Sequence, residues 1–375
     1  MKKIAFSGSF DPITNGHMYV LKEGLLLADK VLLIIAVNPD KKTLFTEKER
    51  ENMIYQTLLE HHIEDKVDIL ISKKEFVAQI ALENDCQYLI RGIRNGVDFD
   101  YESLIQKANT EILQGAKTIF IMPPRELESV SSSFIKNFVG PVGWHWYVQK
   151  FVSQSVYRFI RKKYLAKYIS QYSYVPEKNI PSLIATLEKH YEQENRFYHN
   201  LDHILHCYEE LDWVVSQNSF SEKTLKDIGT AIFAHDILYN MHQDQTDEEL
   251  SAQWLLQYGQ ELSLDFQSSA ELIRSTAYFS SSESTLDETT KLMHSIDFAI
   301  LGKNAEQYTI YKNNIRKEYS VFSDQEYMEG RIKSLEKLLS KPIYQSPYFL
   351  KYENIAKTNL QNEIHDLMLM NKAKN

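Results

Sequence analysis

The feature that most constrains the fold of this chain is a change of rhythm near its middle. Over the first 135 residues, short apolar runs such as 31–37 and 67–71 alternate with stretches of helical spacing. From Trp144 onward the strand pattern stops, and helical stretches follow one another toward the C-terminus. Strands separated by helices predict a parallel sheet covered by helices. We therefore expect an α/β Rossmann-like domain followed by an all-α domain.

The length and charge of the chain support two domains. The 375 residues are too many for one ordinary core. We predict a boundary near residue 165, with domains at 1–165 and 166–375. The first predicted domain contains 22 Lys and Arg and 20 Asp and Glu, which give it a net charge of +2. The second contains 20 basic and 31 acidic residues, a net charge of −11, so that the whole chain has a net charge of −9. An acidic domain repels a phosphate backbone, so nucleic acid is not an expected partner.

Apolar runs and cysteines indicate the cellular compartment that the protein occupies. The longest clean apolar run, 31–37, is far too short to cross a bilayer. The first residues lack the long apolar stretch and small-residue cleavage site of a signal peptide. Cys86 and Cys207 are far apart, which argues against a disulfide framework or a cysteine metal site. We predict a cytoplasmic protein without a membrane partner.

The segment Gly8–His17, with the sequence GSFDPITNGH, follows the first predicted strand and opens the first predicted helix. Such a turn offers free backbone N–H groups and the positive end of a helix dipole, which together attract a phosphate. Gly16 lets the backbone come close to that phosphate, and His17 lies beside it in the first helical turn. Ligands of parallel sheets bind at the carboxyl ends of the strands, which is where this turn lies.

Further motifs follow the other predicted strands in order. Lysines at 41–42 come after the second strand, RGIR at 91–94 after the fourth, DFDYE at 98–102 soon after, and serines at 131–133 begin a helix. With the TxGH tetrapeptide at 14–17, these motifs resemble the phosphopantetheine adenylyltransferases of the T/HxGH nucleotidyltransferase superfamily. The resemblance covers most of the first domain. It implies transfer of the adenylyl group of ATP to 4'-phosphopantetheine, giving dephospho-coenzyme A and pyrophosphate in coenzyme A biosynthesis.

The resemblance also implies roles for individual residues. His17 would stabilise the transition state through a hydrogen bond to α-phosphate oxygens, and Lys41 and Arg91 would hold the acceptor phosphate. These three are the predicted catalytic residues. No protein nucleophile is needed, because the acceptor phosphate itself attacks the α-phosphorus in line. Further acceptor contacts are predicted at Ser9, Val77 and Asn109, and ATP contacts at Ser9, Phe10, His17, Gly92, Ile93, Arg94, Glu102, Leu127, Glu128, Ser129, Val130, Ser131, Ser132 and Ser133.

The same resemblance implies a cofactor and an assembly. Mg²⁺ is expected with the ATP phosphates, and many family members form hexamers, so a homo-oligomer is expected. The TxGH turn alone leaves another acceptor open, such as nicotinamide mononucleotide or a phosphorylated alcohol. The lysine loop and the paired RGIRN and DFDYE segments favour phosphopantetheine.

A second group of ionisable residues lies in the helical half. His199 and His203 have i, i+4 spacing, which places both on one face of a helix. His235 and Asp236 directly follow the apolar run AIFA, and Asp297 comes later within a second apolar segment. Ionisable groups in apolar surroundings need partners, and one metal ion can satisfy several of them.

This order of H, HD and D resembles the HD-superfamily metal-dependent phosphohydrolases, over about residues 175–370. The resemblance implies His203, His235, Asp236 and Asp297 as the ligands of a divalent metal. Mn²⁺, Fe²⁺, Mg²⁺ and Zn²⁺ all accept such ligands. The metal would activate a water molecule for attack on a phosphate ester.

The sequence of the second domain also allows a non-catalytic function. Arg196, His199 and Glu249 are candidates for substrate contact or proton transfer. At 276–279 the sequence reads TAYF, where related proteins often have a histidine at the last position. A non-catalytic module that senses a metal or ligand and regulates the first domain is therefore the alternative to a phosphohydrolase.

Overall fold

The computed structural model describes residues 1–37, 42–73, 75–239, 245–277 and 286–374. The chain divides into two compact units, Met1–Arg161 and Lys162–Asn375. Helix α7, Gln154–Tyr172, contains both this division and the predicted boundary at residue 165. No helix of the described ranges combines the length and apolarity needed to cross a membrane.

The β-rich apolar runs of the first unit form one five-stranded sheet. Its strands are β1 Lys3–Gly8, β2 Lys30–Ala36, β3 Val67–Ser72, β4 Cys86–Gly92 and β5 Lys117–Ile121. Their order is β3-β2-β1-β4-β5, and every neighbouring pair is parallel. The predicted Rossmann-like fold class is confirmed. Because the strands are parallel, their carboxyl ends meet at one edge of the sheet, where Gly8 of β1 pairs with Ile35 of β2.

Helices connect these strands and cover the sheet. They are α1 Asn15–Leu27, α2 Glu47–Glu60, α3 Val77–Glu83, α4 Gly96–Lys107, α5 Ser132–Phe138 and α6 Trp144–Val148. The predicted capping box opens α2: the Glu49 N–H donates to the Thr46 hydroxyl at 3.2 Å, and the Thr46 N–H donates to the Glu49 carboxylate at 2.7 Å. Ala5, Ile34, Ile80 and Leu89 belong to the core cluster between α3 and the sheet.

The second unit contains helices and no strand within its described residues, which confirms the predicted all-α class. Its helices after α7 are α8 Ile180–Tyr191, α9 Leu201–Gln217, α10 Glu222–Ala234, α11 Asp247–Leu262, α12 Gln267–Ser275, α13 Glu288–Asp297, α14 Ala305–Glu318, α15 Asp324–Leu339 and α16 Glu353–Lys374. Helix α9 packs against α8, α10 and α13. Its residues Ile204 and Leu211 are fully buried, so neighbouring polar side chains on α9 also lie in the interior.

Candidate functional site

A cavity of about 580 Å³ opens at the carboxyl edge of the sheet in the first unit. It is lined by the turn between β1 and α1, by parts of α2 and α4, and by the start of α5. Predicted site residues that line it are Ser9, His17, Arg91, Gly92, Arg94, Glu102, Leu127, Val130, Ser131, Ser132 and Ser133. Residues that are far apart in the sequence are thus brought to one place.

Other predicted residues lie away from this lining or outside the described ranges. Lys41 lies outside the described residues. Val77 packs against the core cluster under the sheet, and Asn109 lies in a short π-helical turn, Ala108–Ile112. The predicted residues that are described but do not line the cavity are Phe10, Val77, Ile93, Asn109, Glu128 and Ser129.

The turn after β1 is held in an unusual backbone conformation. Phe10 has a φ of 45°, in the left-handed region that costs a non-glycine residue about 1–3 kcal/mol. Its ring is fully buried and meets the rings of Phe6 and His17 edge to face, with centroid distances of 5.2 Å to each. This packing keeps the turn in place, with Ser9 exposed at the cavity wall.

His17 is a neutral hydrogen-bond donor in this cavity. The backbone N–H of Thr14 donates to Nδ1 of His17 at 3.1 Å, and the Thr14 hydroxyl lies 2.8 Å from the same nitrogen. Since Nδ1 accepts, Nε2 carries the proton of the neutral ring. Burial, with the charges of Arg94 and Arg91, lowers the pKa of His17 to about 4. At neutral pH the ring is therefore uncharged and offers Nε2–H.

The two arginines of the RGIR motif are each fixed by a carboxylate from α4. The Arg91 guanidinium binds both carboxylate oxygens of Glu102, and it also donates to the Ser7 carbonyl at 2.6 Å. Arg94 donates to both oxygens of Asp98, at 2.7 and 3.1 Å. The hydrogen bond from Arg94 lowers the pKa of Asp98. Glu102, predicted as an ATP contact, is placed by the fold as the partner of Arg91.

A buried carboxylate that the sequence analysis missed connects three parts of the wall. Asp11 accepts hydrogen bonds from the backbone N–H groups of Leu44 and Phe45, the latter at 2.8 Å. It also forms an ion pair with Lys136 at 3.0 Å. It joins the first turn, the segment before α2, and α5. The sequence could have indicated Lys136 as a site residue, because it lies four residues after Ser132 and thus on the same face of α5.

Gly16 has a packing role in this arrangement. A Cβ at Gly16 would come within 2.8 Å of the Val130 carbonyl oxygen, so only glycine allows the start of α1 to lie against the serine loop. The Ser132 hydroxyl donates to the Pro12 carbonyl at 2.8 Å, and the Ser131 hydroxyl caps α5. The serine loop and the TxGH turn are therefore held together by direct contacts.

Comparisons with known proteins relate the first unit to a family. A family model described as Cytidylyltransferase-like matches residues 5–138. The phosphopantetheine adenylyltransferase of Chromobacterium violaceum is 32% identical over 164 residues, which are 44% of this chain and 98% of that protein. Those of Neisseria meningitidis serogroup C and Streptococcus suis are 33% and 32% identical, covering 42% and 40% of this chain and 92% of each protein. The chain belongs to the phosphopantetheine adenylyltransferase family.

The family match lies within the first unit, and the second unit contains a separate cluster of ionisable side chains. There, His203 and His235 face each other with their Nε2 atoms 3.0 Å apart. Asp236 and Asp297 each place a carboxylate oxygen 3.1–3.5 Å from both of these nitrogens. Donor atoms that share one metal ion at about 2.0–2.2 Å lie roughly this far apart. The four predicted ligands thus come together from α9, the end of α10 and α13.

The electrostatics of this cluster favour a cation. The His235 Nδ1 atom lies 2.9 Å from the Ile232 carbonyl and so carries the proton, which leaves Nε2 of the neutral ring as a lone-pair donor toward the cluster. Burial disfavours a charge on His235, but Asp236 and Asp297 outweigh it and raise the pKa of the imidazole well above its ordinary value. Carboxylates that bias a buried ring toward positive charge equally favour a metal ion.

Cys207 is a member of this cluster that the sequence analysis did not predict. Ligand atoms of His203, Cys207, His235 and Asp297 all lie within 4.8 Å of one another, and the Cys207 sulfur is 3.8 Å from both ring nitrogens of His203. The argument from two distant cysteines against a cysteine metal site overlooked that one cysteine can join histidines. Its spacing of four residues after His203 on α9 was the available signal.

The three tentatively assigned residues of the second unit have different surroundings. Nδ1 of His199 lies 2.7 Å from the buried carboxylate of Glu318, which also accepts the backbone N–H groups of residues 197–199. Arg196 donates to the carbonyls of His199, Asp236 and Ile237 at 2.6–3.0 Å, so it fixes the backbone next to the cluster. Glu249 instead binds Arg274 at 2.6 Å near the surface.

Proposed function

We propose that the first unit transfers the adenylyl group of ATP to 4'-phosphopantetheine. The observation that carries this proposal is the neutral His17, whose Nε2–H serves a cavity that Arg91 and Arg94 also line, in a chain related to enzymes of that name. An oxygen of the acceptor phosphate would bond to the α-phosphorus of ATP as the bond to pyrophosphate breaks. The site therefore needs to position two anions and stabilise the charge between them.

The described residues suit these tasks. His17 would donate its Nε2–H to an α-phosphate oxygen, more strongly in the transition state than in the ground state. Arg91, held by Glu102, would hold the acceptor phosphate, together with Lys41. Arg94 and the serines at 131–133 would hold the nucleotide. Each guanidinium is pre-oriented by its carboxylate, so little ordering remains to be done on binding.

Mg²⁺ fits this site as a companion of ATP. Within the described part of the chain, the carboxylates that line the cavity are Asp11, Asp98 and Glu102, and each is paired with a cation. Mg²⁺ would thus be held mainly by the ATP phosphates and water, as it commonly is in nucleotide enzymes. When bound, it would neutralise charge on the leaving pyrophosphate. A homo-oligomer, with six copies by family resemblance, and a cytoplasmic location stay predictions.

The test of this proposal is a comparison of acceptors. The full chain is incubated with ATP, Mg²⁺ and 4'-phosphopantetheine, and pyrophosphate release is followed together with the formation of dephospho-coenzyme A. Parallel reactions contain nicotinamide mononucleotide or a phosphorylated alcohol. We expect turnover with phosphopantetheine. Turnover with another acceptor and none with phosphopantetheine would show that the acceptor assignment is wrong.

For the second unit we propose a divalent-metal phosphohydrolase of the HD type. The supporting observation is the convergence of His203, His235, Asp236 and Asp297 at mutual distances that suit one ion. These residues would hold Mn²⁺, Fe²⁺, Mg²⁺ or Zn²⁺, which would supply the Lewis acidity that activates water for attack on a phosphate ester. His199, oriented by Glu318, lies beside His203 and would move a proton during that attack.

Metal content and hydrolysis test this second proposal separately. The full chain, purified without chelator, is analysed for bound metals and assayed on a panel of phosphate mono- and diesters with each metal. Bound metal with hydrolysis supports the phosphohydrolase. Bound metal without hydrolysis of any ester supports the sensing module instead, for which the phenylalanine at 279, outside the described residues, gives a reason. An unmetallated protein that stays so when metals are supplied would contradict both.

A further inference from the structure

Among the described residues that line the cavity of the first unit, Arg50 is a buried basic side chain without an ion pair. The basic residues of the cavity within the described ranges are Lys42, Arg50, Arg91, Arg94 and Lys136. The last three form ion pairs with Glu102, Asp98 and Asp11. Lys42 is exposed, so water can solvate its charge. Arg50 is only 1% exposed, and among the described residues no carboxylate lies within ion-pair distance of it.

The contacts of Arg50 satisfy only part of its guanidinium. One terminal nitrogen donates to the Ser9 carbonyl at 2.7 Å, and the buried Nε has no hydrogen-bond partner within the described structure. Glu47, one turn earlier on α2, is bound to Lys73 at 3.0 Å. A buried cation with one neutral partner is costly, since burial removes its hydration without replacing it. Such a charge calls for an anion.

We propose that Arg50 supplies a fixed positive charge for a phosphate group that binds in this cavity beside Ser9. The inference rests on the proposed adenylyl transfer, whose two substrates both carry phosphates. Through its hydrogen bond to Ser9, Arg50 also holds the turn in which Phe10 has its left-handed conformation. The same guanidinium therefore holds the conformation of the turn and attracts the phosphate that binds beside it.

Binding of inorganic pyrophosphate to the full chain tests the charge directly. It is measured by titration calorimetry in a chelator-containing buffer, which excludes metal-dependent binding by the second unit. We expect Arg50→Met to weaken binding about tenfold or more, because a charged hydrogen-bond donor is lost. The exposed Arg158 of the same unit gives a matched control, Arg158→Met, which should bind like the wild type. An Arg50→Met variant that binds equally well would overturn the proposal.

A second variant separates charge from folding. Arg50→Lys keeps the charge and loses the planar fork, so it should retain binding within about threefold of the wild type. If it is folded by near-ultraviolet circular dichroism and loses as much binding as expected for Arg50→Met, the role of Arg50 is to hold Ser9 and the proposal fails. This comparison stands even if Arg50→Met does not fold.

Steady-state kinetics identify which phosphate is bound. A KM increase for phosphopantetheine in the Arg50→Met variant assigns the acceptor phosphate, and an increase for ATP in the same variant assigns the nucleotide. An unchanged KM for both would overturn the proposal. Failure of adenylyl transfer itself is distinguishable, because it would leave the wild type without pyrophosphate release while pyrophosphate binding still depended on Arg50.

Discussion

The backbone N–H of Thr14 points at Nδ1 of His17 over 3.1 Å, and this contact decides which nitrogen of the ring carries the proton. With Nδ1 accepting, the other nitrogen becomes a donor. The same contact belongs to the first turn of α1, where Thr14 is the N-cap residue. The TxGH spacing thus places the N-cap and the proposed transition-state donor in one helical turn.

Replacing His17 should slow adenylyl transfer more than it weakens nucleotide binding. His17→Ala is expected to lower turnover about 10²–10³-fold, the usual effect of losing one donor to a developing charge. ATP affinity, measured by calorimetry, should change little. His61→Ala, at a partly exposed histidine of the same unit, serves as the control. Unchanged turnover in His17→Ala would remove His17 from the mechanism.

The low pKa of His17 also predicts a pH dependence of stability. The pKa is about 4 in the folded protein and 6.5 in its ordinary state. Between these values the unfolded chain binds a proton that the folded chain does not, so the free energy of unfolding decreases as pH falls. The contribution should shrink by about 2 kcal/mol between pH 7 and 5. Urea unfolding of wild type and His17→Gln at both pH values measures it; parallel losses in the two proteins would contradict this.

Removing Glu102 should affect the acceptor as well as ATP. Glu102 holds the Arg91 guanidinium through both carboxylate oxygens, so Glu102→Ala leaves Arg91 free to move. We expect the KM for phosphopantetheine to rise roughly tenfold, the effect of losing one charge-assisted contact. Steady-state kinetics with each substrate varied in turn provide the measurement, and Glu83→Ala, at an exposed site, is the control. A KM that changes for ATP alone would indicate that Glu102 contacts only the nucleotide.

Asp236→Ala should abolish binding of the metal that we propose for the second unit. Its carboxylate oxygen lies 3.1 Å from Nε2 of His235, so its loss removes a ligand and leaves the two imidazoles facing each other. Elemental analysis should find little bound metal, any phosphohydrolase activity should disappear, and the melting temperature should fall. Adenylyl transfer should persist. The surface variant Asp366→Ala should retain metal, and a metal content equal to wild type in Asp236→Ala would show that Asp236 is not a ligand.

Arg196 should matter for stability rather than for chemistry. It donates to three backbone carbonyls, including that of Asp236, and is almost fully buried. Arg196→Met is expected to reduce the free energy of unfolding by about 2–4 kcal/mol, because buried carbonyls lose their donors. Arg274→Met breaks only a partly exposed ion pair and should cost less than about 1 kcal/mol. Denaturant unfolding compares the two; equal losses would argue against this role of Arg196.

Local patterns in the sequence were sufficient for the classes of structure and for the main motifs. Apolar runs of strand length and the capping box at Thr46 depend on neighbours within a few residues, so they could be recognised along the chain. The parallel order of the strands then follows from their alternation with helices, and it brings the TxGH turn, the RGIR segment and the serine loop to one edge. The HD order likewise pointed to four residues that the fold brings together.

Which side chains pair with one another was decided only by the tertiary structure. Glu102 binds Arg91, Asp11 binds Lys136, and Glu318 binds His199, across separations of 11, 125 and 119 residues. Such partners are chosen by how helices and strands pack, because a long side chain can reach any neighbour that packing places within about 3 Å. The sequence by itself therefore determined the fold classes and the reactive motifs. Packing decided that Glu102 orients an arginine, that Cys207 joins the histidines, and that Arg50 has no carboxylate partner among the described residues.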